Sequence, residues 1–260
     1  MKLLIDFDGL LYSAVYRIVS FSEIRRAIRE FGKEGARQWI LEEVYNEGLN
    51  RCENQLLQIQ NHISEQMINE ITGVELFITT CSNSFRKELS PSYKANRKRN
   101  KYVWMLRDHY QINGAHFSDT HEADDLIAIR AKEIGVDNCI VVSPDKDLKQ
   151  IGGYYWSYYR QKSRDMDGEL IINEFGFAET EFKQKAIDYI SMEDASKMFW
   201  VQMLMGDNSD GVKGLNKVGV KTAEKILFDS SVHWFRTARE YISRGQKQDF
   251  KTNYKLLKLG

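Results

Sequence analysis

The chain of 260 residues predicts an α/β fold, a mostly parallel central sheet flanked by helices, followed by a helical C-terminal subdomain. Three observations carry this expectation. Short apolar runs at Lys2–Asp6, Val74–Thr79 and Cys139–Val142 read as buried strands. Over residues 35–72, the apolar positions Leu49, Cys52, Leu56, Ile59, Ile63, Met67 and Ile71 recur every three or four residues, one helix stripe with a solvated opposite face. From about residue 182 the pattern turns helical. The expected units are therefore 1–181, including a basic segment at 83–112, and 182–260, including a glycine-rich helical hairpin at about 206–228.

Composition removes several function classes. Hydrophobic residues at 42% supply a real core, and 28% charged residues with two prolines argue against disorder. Leu3–Ile5 is too short for a secretory apolar region, and no apolar run reaches membrane-span length. Cys52, Cys81 and Cys139 are odd in number and lack CxxC spacing, which excludes a zinc finger and suits a reduced chain. A cytoplasmic monomer without a membrane partner is expected. The net charge of zero decides little, because the signs separate locally.

In chain order, Lys2–Asp6 ends on an acid, where open α/β sheets place ligands, although Asp6 capping the next helix competes as a reading. That helix is expected from about Leu10, and Gly73 is expected to end the long one. Residues 84–101 carry Arg86, Lys87, Lys94, Arg97, Lys98, Arg99 and Lys101 against one acid, Glu88, with Tyr93 interleaved. Such a run can track a phosphate backbone while a ring stacks on a base, or it is a solvated basic face. Pro91 bends it. Its position between two strands favours function.

Glu122, Asp124 and Asp125 crowd a helix start, and Asp145 and Asp147 follow the Cys139–Val142 run. Carboxylates this dense repel unless something positive sits among them, and a hard divalent cation is the economical neutraliser. Taken alone, helix-dipole and surface charge would explain them as well. Tyr154–Tyr159 reads as a strand, and Glu169–Ile172 as a further short one. Ala195–Met205 is apolar on most sides and leads into Asp207 and Asp210. Two short helices meeting at a hairpin would follow, with Gly214 and Gly219 allowing close phosphate approach and Lys213, Lys217, Lys221 and Lys225 adding charge. Residues 230–260 are expected to pack on that unit.

These pieces, in this order, resemble the 5′-nuclease superfamily: flap endonucleases, the 5′-nuclease domain of bacterial DNA polymerase I and tailed-phage 5′→3′ exonucleases. The likeness spans roughly residues 2–228 and is strongest to the phage enzymes at Phe85-Arg86-Lys87-Glu88-Leu89 and Tyr93-Lys94-Ala95-Asn96-Arg97-Lys98. Glu122-Ala123-Asp124-Asp125, Ser143-Pro144-Asp145-Lys146-Asp147 and Met205-Gly206-Asp207-Asn208-Ser209-Asp210 match its acidic motifs, and Asp6 its leading aspartate. The resemblance implies a PIN-like core, a helical arch and a helix-hairpin-helix. It also implies two Mg²⁺ or Mn²⁺ ions, one held mainly by Asp6, Glu122, Asp124 and Asp125, the other by Asp145, Asp147, Asp207 and Asp210. Two such ions, roughly 3.5–4 Å apart, acidify a water and stabilise the leaving oxygen.

By the same likeness, Lys94 and Arg97 reach the scissile phosphate, Arg86 binds phosphate and Tyr93 stacks on the terminal base. Lys87, Lys98, Lys213, Gly214, Lys217, Gly219 and Lys221 contact DNA, and the hairpin can hold K⁺. Expected substrates are duplex DNA with a 5′ end, nick or flap, and RNA–DNA hybrids during primer removal in phage replication, with replication proteins as partners. One customary acid, at the end of the second strand, is missing: Phe77-Ile78-Thr79-Thr80-Cys81-Ser82-Asn83 holds no carboxylate. Asp8 supplies the charge, Cys81 or Thr80 acts through a water, or the site is weakened to a DNA-binding homologue. A soft thiol suits Mg²⁺ poorly. The retained acids favour activity, and a PIN-like ribonuclease is the rival enzyme.

Overall fold

The computed structural model describes residues 1–81, 84–95, 100–162, 169, 180–184, 186–228 and 232–260, with backbone alone at 159–162 and 180–184. Strand β1 (Lys2–Asp6) and helix α1 (Asp8–Ala14) open the chain, and the long α2 (Phe21–Gln66) leads to β2 (Gly73–Phe77). Two helices, α3 (Phe85–Leu89) and α4 (Lys101–Ile112), make the basic segment; α5 (Ala123–Ile134) and β3 (Cys139–Val142) follow. A 3₁₀ turn at Lys146–Ile151 precedes β4 (Gly153–Trp156), β5 (Tyr158–Lys162), β6 (Thr180–Gln184) and β7 (Asp188–Ile190). The remainder is α6 (Met192–Met205), a ribbon of β8 (Gly206–Asp207) and β9 (Val212–Lys213), then α7 (Val220–Ile226), α8 (His233–Ser243) and α9 (Lys247–Leu257).

The central sheet runs β2-β1-β3-β4-β7. The first four strands are parallel and β7 is antiparallel at the edge. Leu3, Leu4 and Ile5 of β1 are fully buried because both faces are covered. Leu3 and Ile5 pack with α1, α2 and α4, whereas Leu4 packs with α5. Each such side chain contributes about 1.5–3 kcal/mol. Because β1 lies between β2 and β3, the chain steps first to one side and then to the other. That creates a switch point at the carboxyl ends of β1 and β3, where open α/β sheets hold ligands.

Several boundaries differ from expectation. Helix α2 starts at Phe21, not 35, because Ser20 and Glu23 form a capping box: Ser20 N–H donates to Glu23 Oε2 (2.8 Å) and Glu23 N–H to Ser20 Oγ (3.3 Å). The helix is broken at Gly32 (φ 70°) and ends at Gln66, before Gly73. Ile78 and Thr79 leave β2, and the aromatic run divides at Ser157 into β4 and β5. The expected strand over 169–172 lies outside the described residues except Glu169. Past residue 182 the chain first makes β7, returning to the sheet, and turns helical at Met192, capped by Ser191 (Asp194 N–H to Ser191 Oγ, 3.0 Å).

Candidate metal centre and nucleic-acid interface

The switch point gathers the acids. Asp6 ends β1 and accepts from the Ser143 hydroxyl (2.8 Å), which itself accepts Asp145 N–H (2.9 Å). The Tyr155 hydroxyl donates to the carbonyls of Ser143 (2.7 Å) and Asp145 (2.8 Å), so β4 braces the loop leaving β3. Thr79 Oγ1, just past β2, accepts Ala123 N–H (3.0 Å) and seats the start of α5. A cleft of about 340 Å³ is lined by Asp6, Asp8, Cys81, Lys94, Arg107, Glu122, Asp124 and Asp145. Thus Asp145 shares a cleft with Asp6 and Asp124, instead of grouping with the later acids.

Burial, then the charges of Asp8 and Asp145, push Asp6 up to about 7. Burial and the charges of Asp6, Asp145 and Glu122 likewise raise Asp124, with Lys94 opposing them. A second pair lies beside these acids. Gln202 of α6 donates to Asp147 Oδ2 (2.7 Å) and Asp207 Oδ2 (3.2 Å). Burial and then Asp145 push Asp147 to about 6. Asp207 moves down: burial opposes, but the Ser209 hydroxyl (2.6 Å) and N–H (2.8 Å) hold its charge.

Lys94 supplies positive charge to the first cluster. Its Nζ lies 2.6 Å from Glu122 Oε2 and 3.6 Å from Asp210 Oδ2, with the side chain 13% exposed. Burial alone would lower its pKa, yet Glu122, Asp124 and Asp210 raise it. The backbone of Lys94 is left-handed (φ 50°), uncommon for a residue with a Cβ, and its N–H donates to the Asp210 carbonyl (3.1 Å). Among the described residues, no three His, Cys, Asp or Glu side chains converge closely enough to ligate one ion in this conformation. The donor chemistry nonetheless fits a hard cation: the ligands are carboxylates whose mutual repulsion holds protons at Asp6 and Asp124.

Four assignments change. Asp125 is not among the free acids: Arg86 Nη1 donates to its Oδ2 and Nη2 to its Oδ1 (2.6 Å), and both side chains are buried. Arg86 accordingly cannot meet phosphate on the surface. Its remaining donors hold the carbonyls of Leu256 (2.7 Å) and Lys258 (3.0 Å), so the segment after α9 locks onto α3. Tyr93, 3% exposed, packs with Phe199, Met203 and Leu204 in the helical subdomain, and its hydroxyl donates to Glu122 (3.1 Å) and Asp210 (3.2 Å), so its ring is unavailable for stacking on a base. Gly214 faces protein rather than phosphate: a Cβ there would lie 2.1 Å from the Met205 carbonyl carbon.

Gly219 has open space around it, and Lys213, Lys217 and Lys221 are exposed near it. The connection from α6 to α7 contains the β8–β9 ribbon, and its leading helix has 14 residues, so it departs from two short helices about one hairpin. Lys87 borders the acidic cleft. Arg97 and Lys98 lie outside the described residues. Sequence reasoning missed Ser143, Tyr155, Gln202 and Arg107. Two had a signal: Gln202 interrupts an apolar helix, and Arg107 occupies the buried stripe Val103, Leu106, Arg107, Tyr110.

No family model matches the chain. DNA polymerase I of Borreliella burgdorferi is 29% identical over 175 residues, covering 62% of this chain and 18% of that protein. The 5′-3′ exonuclease of Aquifex aeolicus is 33% identical over 148 residues, covering 54% of this chain and 45% of the relative. The chain thus spans less than half the length of these curated relatives. The fold is that of the bacteriophage T5 D15 flap endonuclease, solved as a pseudo-enzyme–product complex with DNA and metal ions. The TM-score is 0.59 at 14% identity, over 98% of this chain and 88% of that one.

Proposed function

The chain belongs to the 5′-nuclease superfamily, and from that premise we propose that it is a divalent-metal-dependent nuclease hydrolysing phosphodiesters at DNA 5′ ends, nicks or flaps. The observation that carries this is one cleft, at the switch point of a parallel sheet, containing Asp6, Glu122, Asp124, Asp145 and the ammonium of Lys94. Asp6, Glu122, Asp124 and Asp145 would hold one cation, and Asp147, Asp207 and Asp210 a second. Mg²⁺ or Mn²⁺ bound there supplies acidity for a water and charge for the leaving oxygen.

The chain's own groups do the rest. Ser143 and Tyr155 keep Asp6 and Asp145 turned into the cleft. Gln202 keeps Asp147 and Asp207 together. Lys94 would exchange Glu122 for a phosphate oxygen, stabilising the charge that develops there, with Arg97 beside it. Exposed Lys213, Lys217 and Lys221, beside Gly219, would grip the duplex backbone without reading its sequence. Primer removal during phage replication is the biological role we assign to it.

The test is cleavage of 5′-labelled nicked, blunt and flapped duplexes and of single-stranded RNA, with Mg²⁺ or Mn²⁺. Nicks or flaps should be cut fastest. Preference for unstructured RNA overturns the reading in favour of a PIN-like ribonuclease; tight salt-sensitive binding without turnover overturns it in favour of a DNA-binding homologue.

A further inference from the structure

We infer that Asp8 is the acid completing the first cluster, in place of the one absent after β2, and that Arg107 positions it there. This rests on the nuclease reading above. Asp6 pairs in register with Phe77, the last residue of β2, and Ile78 to Cys81 beyond it offer no carboxylate. Asp8 reaches across that gap. Thr79 N–H, at the exit of β2, lies 3.3 Å from each oxygen of the Asp8 carboxylate. Asp8 and Cys81 line the same cleft as Asp6 and Asp124, so a side chain from either position enters one space.

Arg107 explains why Asp8 is turned this way. Its Nη2 (2.8 Å) and Nε (3.1 Å) both donate to Asp8 Oδ1, leaving Oδ2 held by the long Thr79 contact. The guanidinium is 8% exposed and flanked by the rings of Trp104 (5.1 Å) and Tyr12 (5.8 Å), so it is fixed before any ligand arrives. The Cys81 thiol instead donates to the His121 carbonyl (3.4 Å), and sulfur is a poor donor for a hard cation. The ordinary alternative is that Asp8–Arg107 merely ties α1 to α4. The two readings differ in what Mn²⁺ feels.

Mn²⁺ binding by the full chain, followed by loss of the free-ion electron paramagnetic resonance signal, separates them without requiring turnover. Asp8→Asn keeps the size of the side chain and should weaken Mn²⁺ binding about 10–100-fold, as removing a metal-supporting carboxylate does. Asp8→Asn combined with Cys81→Asp should bring the affinity back close to wild type. Cys81→Asp alone should change it little, because the cluster already has its acid. That single variant reads the idea even if Asp8→Asn melts too low to assay. Unchanged affinity in Asp8→Asn, no recovery in the double variant, or a large gain in Cys81→Asp alone each overturns the inference. Absence of Mn²⁺ binding by the wild-type chain is a different result, and sinks the nuclease reading first.

Discussion

Asp124 and Asp125 are neighbours in sequence and opposites in circumstance. Asp124 faces carboxylates from β1 and the loop after β3, and its pKa is pushed up by burial and by Asp6. Asp125, one residue on, points to the other side of α5's first turn and meets the fork of Arg86. The first region is short of positive charge, with Lys94 the principal neutraliser. The second is a closed ion pair with every guanidinium nitrogen donating, to Asp125 and to the carbonyls of Leu256 and Lys258. Under-neutralised acids suit an incoming cation; a satisfied pair suits anchorage. One helix start therefore serves both purposes.

Breaking the first region should remove chemistry and spare the fold. Asp145→Asn is expected to abolish cleavage while duplex binding, measured by fluorescence anisotropy, stays largely intact. If binding and folding vanish with cleavage, the acids are structural. Breaking the second region should do the reverse. Arg86→Met leaves Asp125 buried and unpaired, and should lower stability by about 3–5 kcal/mol in urea unfolding, because removing one partner strands the other. A change near zero would mean that the pair is not the anchor described.

Lys94 belongs to the first region by charge and to the second by burial, so it sharpens the contrast. Lys94→Ala should slow single-turnover cleavage by about two orders of magnitude, as loss of a transition-state charge contact does. An unchanged rate removes it from the mechanism. The smallest effect is one of pH, measured in chelator. Asp6 titrates near 7 and Asp147 near 6, each against an ordinary value of 3.8, so between the ordinary and the raised values the folded chain binds more protons than the unfolded one. Stability should therefore fall as pH rises from about 4 to about 7. Asp6→Asn should flatten this slope, and a melting temperature that rises over the same range would contradict it.

Much of this was legible in the chain. The apolar runs of β1 and β3 are continuous because both sheet faces are covered, and the acids that follow them announce a site. Ser20 and Glu23 carried a capping signal that sets the true start of α2, although the apolar stripe alone hid it. The basic segment read as an outward, DNA-facing surface, yet Arg86 and Tyr93 are buried, since spacing says nothing of which basic or aromatic residue turns inward. Gly214 looked like an opening for phosphate and is instead required by the backbone at Met205 and Gly206.

By itself the sequence determined the class of fold, the supply of carboxylates and the basic, glycine-marked segments, because strand runs, helix periods and charge density are local properties. Only the tertiary structure decided which carboxylates share a cleft. It divided Asp124 from Asp125, gave Arg86 to the segment after α9, set Gln202 between Asp147 and Asp207, and brought Asp8 with Arg107 to the exit of β2. Those pairings join residues far apart along the chain. The physical reason is that a charge is neutralised by whatever neighbour the packing brings within reach, and no local pattern specifies that neighbour.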